Sequence, residues 1–150
     1  SFSKNKNIDY KTNFNGLLTN WGDTDISFSP NLISSIGLNY SPKRDLNISL
    51  LNKFVGDQYM SNTESIISQL SSYSTTDLNF IYSFKKSKYF NEIIFTLMLN
   101  NIFSKEYVSN GYYYTFDDTW SDPNMVTTIE GTGYYPQAKR NFLLGLTFKL

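Results

Sequence analysis

The sequence predicts an all-β chain, an antiparallel segment of a transmembrane β-barrel, and three observations lead there. First, the last ten residues alternate. Phe142, Leu144, Leu146, Phe148 and Leu150 fall on one side of an extended strand, and Asn141, Gly145, Thr147 and Lys149 on the other, where Leu143 is the only apolar residue. Successive side chains of a strand point to opposite faces, and a strand of about 9–11 residues, apolar outward and polar inward, is the unit of a membrane barrel. Second, aromatic residues reach 17% of the chain while hydrophobic residues reach only 40%. That combination suits a wall in which alternate residues face lipid and aromatic girdles mark the interfaces. Third, the connections between strands alternate short and long.

Taken in order, residues Ser1 to about Asp25 are polar and Asn-rich and read mostly as loop, with Ile8 to Phe14 a candidate strand end and Trp21-Gly22-Asp23 a turn. The period-2 pattern begins at Ile26. Ile36, Leu38 and Tyr40 oppose Ser35, Gly37 and Asn39, and Ser41 to Asp45 is a short turn because Pro42 lacks a ladder donor. The next strand sets Leu46, Ile48, Leu50 and Phe54 against Asn47, Ser49 and Lys53. Ser61 to Ser72 is a longer polar connection in which Ile66, Ile67 and Leu70 mark one helical turn. Leu78, Phe80, Tyr82 and Phe84 then alternate with Asp77, Asn79, Ser83 and Lys85, and a second short turn runs from Lys85-Lys86-Ser87-Lys88 to Asn91. Ile93, Phe95, Leu97 and Leu99 form the next apolar face, although Ile94 and Met98 blur its polar side. A connection from Ser104 to Lys139 precedes the closing strand. The count is about five strands, with no helix.

Barrels of the outer membrane alternate short periplasmic turns with longer extracellular loops, and this chain keeps that order. The predicted lipid faces downstream of Arg44 carry no Lys, Arg, Asp or Glu, whereas Lys53, Asp77, Lys85, Glu92 and Lys149 fall on the lumen side or near the turns. A soluble sandwich with one buried face would also keep charges off that face, so a soluble β-rich binding domain stays open as the alternative.

Composition narrows the function classes. Thirteen basic and thirteen acidic residues balance, leaving no cationic excess for nucleic acid. Without Cys there are no disulfides or thiolate metal sites, and without His the commonest metal ligand and the usual general base near neutral pH are missing. No nucleophile elbow, phosphate loop or metal motif is present, so the expectation is no enzymatic activity, no catalytic residues, no metal site and no cofactor. The longest apolar run, Ile93 to Leu99, is interrupted by Thr96 and is too short for a transmembrane helix. The opening Ser1-Phe2-Ser3-Lys4 has no initiator Met and reads as an internal start with any signal peptide upstream.

Several stretches carry a resemblance. Leu99-Asn100-Asn101-Ile102-Phe103-Ser104-Lys105-Glu106-Tyr107 resembles the Asn-Leu-Phe-Asn-x-x-Tyr run near the end of TonB-dependent outer-membrane receptors. Gly133-Tyr134-Tyr135-Pro136-Gln137-Ala138-Lys139-Arg140-Asn141 through Leu146 resembles the closing segment of that family, where a Pro and an Arg introduce the last strand. Ile26 to Pro30 and Lys53 to Tyr59 also resemble stretches of such receptors, particularly those of Bacteroidetes. The resemblance covers Ile26 to Leu150 and rests on the order and spacing of loose motifs.

It implies that residues 1–150 are the C-terminal part of a barrel of about 22 strands, with the plug domain and the TonB box upstream. It implies a bacterial outer-membrane receptor that imports a scarce ligand such as an iron-siderophore, haem or cobalamin, and in some branches glycans. Its partners would be the TonB complex, the receptor's own plug, the barrel-assembly machinery, outer-membrane lipid and a small-molecule or metal-chelate ligand, and not nucleic acid. Gly145, Phe148 and Leu150 keep the spacing of the assembly signal, although many such chains end in Phe and Leu143 stands at a position expected to be polar. A passive porin is a further alternative.

The candidate ligand contacts lie in the Ser104–Lys139 connection: Tyr112, Tyr113, Tyr114, Phe116, Trp120, Tyr134 and Tyr135. Aromatic rings offer large faces at low entropy cost with a polar tip, which suits siderophores, porphyrins or sugars; an interfacial belt would use the same residues. Asp117, Asp118 and Asp122, with Asn124 nearby, lack EF-hand spacing and read as a solvated acidic loop. Asp57 and Glu64 are too far apart in sequence to be judged as a carboxylate pair.

Overall fold

In the computed structural model the chain is all-β. The structure describes residues 1–14, 16–85, 89–122 and 125–150, and no α-helix occurs among them. The strands are β1 (Lys6–Phe14), β2 (Leu17–Asp25), β3 (Ile33–Lys43), β4 (Leu46–Val55), β5 (Gln58–Tyr59), β6 (Gln69–Leu70), β7 (Tyr73–Lys85), β8 (Glu92–Asn100), β9 (Val108–Asp118), β10 (Thr127–Pro136) and β11 (Asn141–Lys149). They divide into two bodies. One comprises Ser1–Ile33, Val55–Tyr73 and Tyr107–Gln137, and the other Ser34–Phe54, Ser74–Glu106 and Ala138–Leu150.

The second body is a five-stranded sheet in the order β11-β8-β7-β4-β3. Its strands follow one another up and down, joined in turn by a short, a long, a short and a very long connection, as the sequence predicts. The first turn is tighter than expected. It occupies Arg44 and Asp45, because β3 continues through Pro42 and Lys43. Pro42 is tolerated there because β3 is an edge strand, whose outward amides need no partner. Of the second expected turn, Lys86, Ser87 and Lys88 lie outside the described residues. Among the described residues no sheet closes on itself; β3 and β11 are the two edges of the five-stranded one.

Register explains the alternation. Phe142, Leu144, Leu146 and Phe148 of β11 face Leu99, Leu97, Phe95 and Ile93 of β8, and those four in turn face Leu78, Phe80, Tyr82 and Phe84 of β7. The Asn52 amide of β4 donates to Ser74 Oγ (3.0 Å) and Thr76 Oγ1 (2.9 Å), which puts Leu46, Ile48 and Leu50 on the same side as the apolar row of β7. A Cβ at Gly37 would lie 3.9 Å from Leu51 Cδ1, so Ile36, Leu38 and Tyr40 take the side of Leu50. One face of the sheet therefore carries an apolar row on each of its five strands, with Asn52, Ser74 and Thr76 at one end and no Lys, Arg, Asp or Glu on it.

This surface is open on the two edge strands and half-buried on the three between them. Phe142, Leu144, Leu146 and Phe148 are 68%, 57%, 61% and 53% exposed, and Ile36, Leu38 and Tyr40 are equally open. Each such side chain gains roughly 1.5–3 kcal/mol on full burial, so these seven alone leave on the order of 10 kcal/mol unrealised in water. That is as large as the whole stability of a typical domain, about 5–15 kcal/mol.

The opposite face is mixed and makes its own bonds. Glu92 accepts from Lys149 Nζ (2.6 Å) and from the Ser83 hydroxyl, and Asp77 accepts the Asn101 N–H (2.8 Å). Asn101 is the clamp of the longest connection. It is buried, has a φ of 50°, donates its amide to the carbonyls of Lys105 (2.8 Å) and Ala138 (3.2 Å), and accepts the Lys105 N–H (2.9 Å). Here the Leu99–Tyr107 run acquires a physical reason: a side-chain amide at this position ties both stems of the connection. Asn101→Ala should cost about 1–3 kcal/mol by leaving buried backbone groups unpaired, read as a lower midpoint in denaturant with an unchanged slope.

The first body departs most from expectation. Ser1 to Asp25 is not mostly loop: β1 and β2 form an antiparallel hairpin, and Trp21-Gly22-Asp23 lies within β2. The ladder shifts register around Tyr10, where Asp9 and Gly22 both have positive φ, so what reads as a turn is a bulge. Trp21 Nε1 donates to Thr12 Oγ1 across the pair (2.9 Å). Ile26 to Leu32 is irregular rather than a strand. The expected helical turn is a 3-10 turn at Ile66–Ser68. The buried apolar side chains among the described residues, Val55, Met60 and Leu70, all belong to this body. Asp57 and Glu64 serve backbone amides, of Ser72 (2.5 Å) and Asp25 (2.5 Å), and so do not act as a carboxylate pair.

Candidate functional site

The predicted aromatic cluster is not in an irregular loop. All of its residues but Trp120, which follows β9 in the connection to β10, stand on the antiparallel hairpin β9–β10, and strand geometry sorts these into two groups. Tyr112 pairs with Gly133, Tyr114 with Gly131, Phe116 with Ile129 and Asn110 with Tyr135 on one side; Tyr113 pairs with Thr132 and Gly111 with Tyr134 on the other.

The second side is used for packing. Tyr113 OH donates to Glu130 Oε1 (2.5 Å), Tyr134 OH donates to the Ile67 carbonyl (3.0 Å), and Ser65 Oγ donates to Glu130 Oε2 (3.2 Å). Burial, followed by the Glu130 carboxylate, raises the Tyr113 phenol above its ordinary value. These bonds tie Tyr113 and Tyr134 to their own body, although Tyr134 keeps 47% of its surface exposed.

The first side presents rings. Tyr112 and Tyr114 lie nearly parallel with centroids 6.2 Å apart (23°), Tyr114 and Phe116 at 6.3 Å (15°), and Phe116 and Trp120 at 6.1 Å (5°); Tyr135 joins Tyr112 at 6.1 Å with a tilt of 53°. The spacing is close to the two-residue rise of a strand, roughly 6.6 Å, so the rings are laid in a row along β9. Gly131 and Gly133 make this possible. A Cβ at Gly133 would overlap the Tyr112 ring, and one at Gly131 the Tyr114 ring, so each tyrosine leans across a bare stretch of β10 backbone. Its other side stays open, with Tyr112, Tyr114 and Trp120 51%, 50% and 70% exposed.

Asp118 holds the end of the row. Its Oδ1 accepts the N–H groups of Trp120 (3.1 Å) and Ser121 (3.0 Å), fixing the turn that sets the indole parallel to Phe116. The Ser121 hydroxyl and these amides hold its carboxyl below the usual range. Asp117 accepts from Thr128 Oγ1 (2.7 Å). No three carboxylates converge as a metal site among the described residues, and Asn124 lies outside them.

The residues of the expected assembly signal are dispersed along β11. Gly145 pairs with Thr96, Phe148 packs against Phe90 at 4.9 Å on the apolar face, and Leu150 is fully exposed beyond the strand. Leu143 pairs with Met98 on the mixed face. Sequence reasoning finds the rings and misses Gly131 and Gly133; the available signal is the match of Gly-x-Gly to Tyr-x-Tyr across one hairpin. Comparison with known proteins finds no matching family model, no matching curated protein and no matching solved structure.

Proposed function

We propose that this chain is wall and outer loops of a bacterial outer-membrane β-barrel, the C-terminal part of a receptor that imports a scarce ligand with energy from the TonB complex. The observation that carries the wall reading is the charge-free apolar face carried by β3, β4, β7, β8 and β11, open on its edge strands β3 and β11. Hydrocarbon covers such a face without a second protein layer, and a lipid-facing Arg or Lys there would cost about 2–4 kcal/mol at the midplane. The short–long alternation of connections supports it. The receptor reading adds the resemblance of Leu99–Tyr107 and Gly133–Leu146, and with it the expected partners: a plug, the TonB complex, the assembly machinery and lipid. Neither hypothesis involves an enzymatic step, a catalytic residue or a resident cofactor.

The chain has no Cys, so single cysteines report cleanly. Leu144→Cys should resist a membrane-impermeant maleimide in proteoliposomes and Thr147→Cys should react, and neighbouring sites should repeat that two-residue period. Equal labelling of both, in protein that is otherwise folded, would refute the membrane wall.

A further inference from the structure

We propose that the ring row of the β9–β10 hairpin is a stacking platform for an extended, neutral oligosaccharide. The inference gives the receptor reading a ligand class and rests on that reading only for the transport that would follow; the binding itself rests on the hairpin.

The shape of the row comes first. Tyr112, Tyr114, Phe116 and Trp120 form a flat, nearly parallel series longer than any single small ring, with one side of each tyrosine seated over β10 and the other free. A cage for a quaternary ammonium group needs rings that face one another around a point, and this row has none. A linear chain of pyranose rings has the complementary form, since each sugar offers a C–H face to a ring while its hydroxyls reach a polar rim. Asn110 and Thr127 stand on the same side of the hairpin as the row and supply such a rim.

Charge then selects among ring-bearing ligands. The body that contains the hairpin has three Lys against nine Asp and Glu, an excess of six negative charges, whereas the other has ten Lys and Arg against four Asp and Glu. A net charge of zero for the chain conceals this split. Single-stranded nucleic acid also stacks on aromatic rows but requires a basic groove, and porphyrin carboxylates, anionic iron chelates and uronic chains meet the same repulsion. On the row itself the positions from Asn110 to Phe116 and from Ile129 to Tyr135 carry no charge, because Asp117 and Glu130 point to the packed side and Asp118 is bonded to the turn. Of these ring-bearing chains, a neutral glycan meets no such repulsion.

The test titrates the protein in detergent micelles with cellohexaose, xylohexaose and mannohexaose, with hexagalacturonate and haemin as anionic probes, reading heat and tryptophan emission. At least one neutral hexaose should bind, more tightly than its dimer, and hexagalacturonate should bind at least roughly tenfold more weakly. Tyr114→Ala should weaken binding by roughly tenfold, and Tyr114→Phe should preserve it because the ring and not the hydroxyl carries the stacking. Gly133→Val, which keeps every ring but displaces that of Tyr112, should weaken it as Tyr112→Ala does. Near-ultraviolet circular dichroism confirms that each variant is folded. Failure of all three neutral hexaoses to bind folded protein, or binding unchanged in both Tyr114→Ala and Trp120→Ala, overturns the proposal. Haemin binding that Tyr114→Ala abolishes, without hexaose binding, overturns the ligand class and leaves the receptor reading intact. Hexaose binding by protein that fails the cysteine-labelling test supports the platform and removes the receptor.

Discussion

Leu97→Arg should prevent assembly into the outer membrane, whereas Thr96→Arg should assemble at near-normal levels. The two positions are adjacent on β8 and differ only in side. Leu97 stands between Leu144 of β11 and Phe80 of β7 at the middle of the apolar face, so an Arg there puts an unpaired cation into the most hydrophobic part of the sheet. The cost in lipid is about 2–4 kcal/mol, enough to remove a large share of a domain's stability. Thr96 stands between Gly145 and Ile81 on the mixed face. Gly145 leaves room for a long side chain, and in the proposed barrel this side faces the lumen, where a charge stays in water. Heat-modifiable migration of the membrane fraction on a gel measures the difference. Comparable yields of folded protein from both variants would count heavily against the barrel.

Gly111→Ala should unfold the β9–β10 hairpin from its body. Gly111 is buried opposite Tyr134, and a Cβ there would overlap the Gly133 carbonyl and lie 2.7 Å from Met60 Sδ. The Met60 thioether can turn away, but the carbonyl belongs to a paired strand and cannot move without breaking the ladder. Insertion of a carbon into close packing costs about 1–3 kcal/mol, and the rigid carbonyl puts this site at the upper end. Local hydrogen exchange should rise across β9 and β10 while the amides of β8 and β11 keep their protection. The loss should spread to the ring row, since Tyr112 and Tyr114 depend on Gly133 and Gly131 staying in register. Unchanged exchange across Tyr112 to Phe116 would mean that the close packing around Gly111 is not what holds the hairpin.

The five-stranded sheet was legible in the sequence because each of its strands has one clean apolar row, and such rows survive any error in turn assignment. β9 was hidden because Tyr112, Tyr113 and Tyr114 are consecutive aromatics that give no period-2 signal, although the strand puts two of them on one side and one on the other. β10 was hidden because Gly131 and Gly133 depress strand propensity, and only pairing with the tyrosines compensates for the missing side chains. β1 carries a short alternation, Ile8, Tyr10 and Phe14 against Asn7, Asp9, Lys11 and Asn13, but β2 is polar over most of its length and so gave no sign of a partner strand. In the candidate site, composition identified the rings but could not separate Tyr112, Tyr114, Phe116, Trp120 and Tyr135 from the anchoring Tyr113 and Tyr134. That division depends on register, which a one-residue slip would reverse.

The hairpin also bears on the order in which the chain folds. β11 finds β8 across the connection of residues 101–140, and closing that length as open chain is slower and costlier than closing the stems that remain once β9 and β10 have zipped. Shortening the effective loop from roughly 40 residues to roughly 12 recovers about 1 kcal/mol of closure entropy. The glycines that let the tyrosines lie flat therefore also favour the local pairing that brings Asn141 back to Asn100, so that the hairpin can serve first as the guide that seats the final strand.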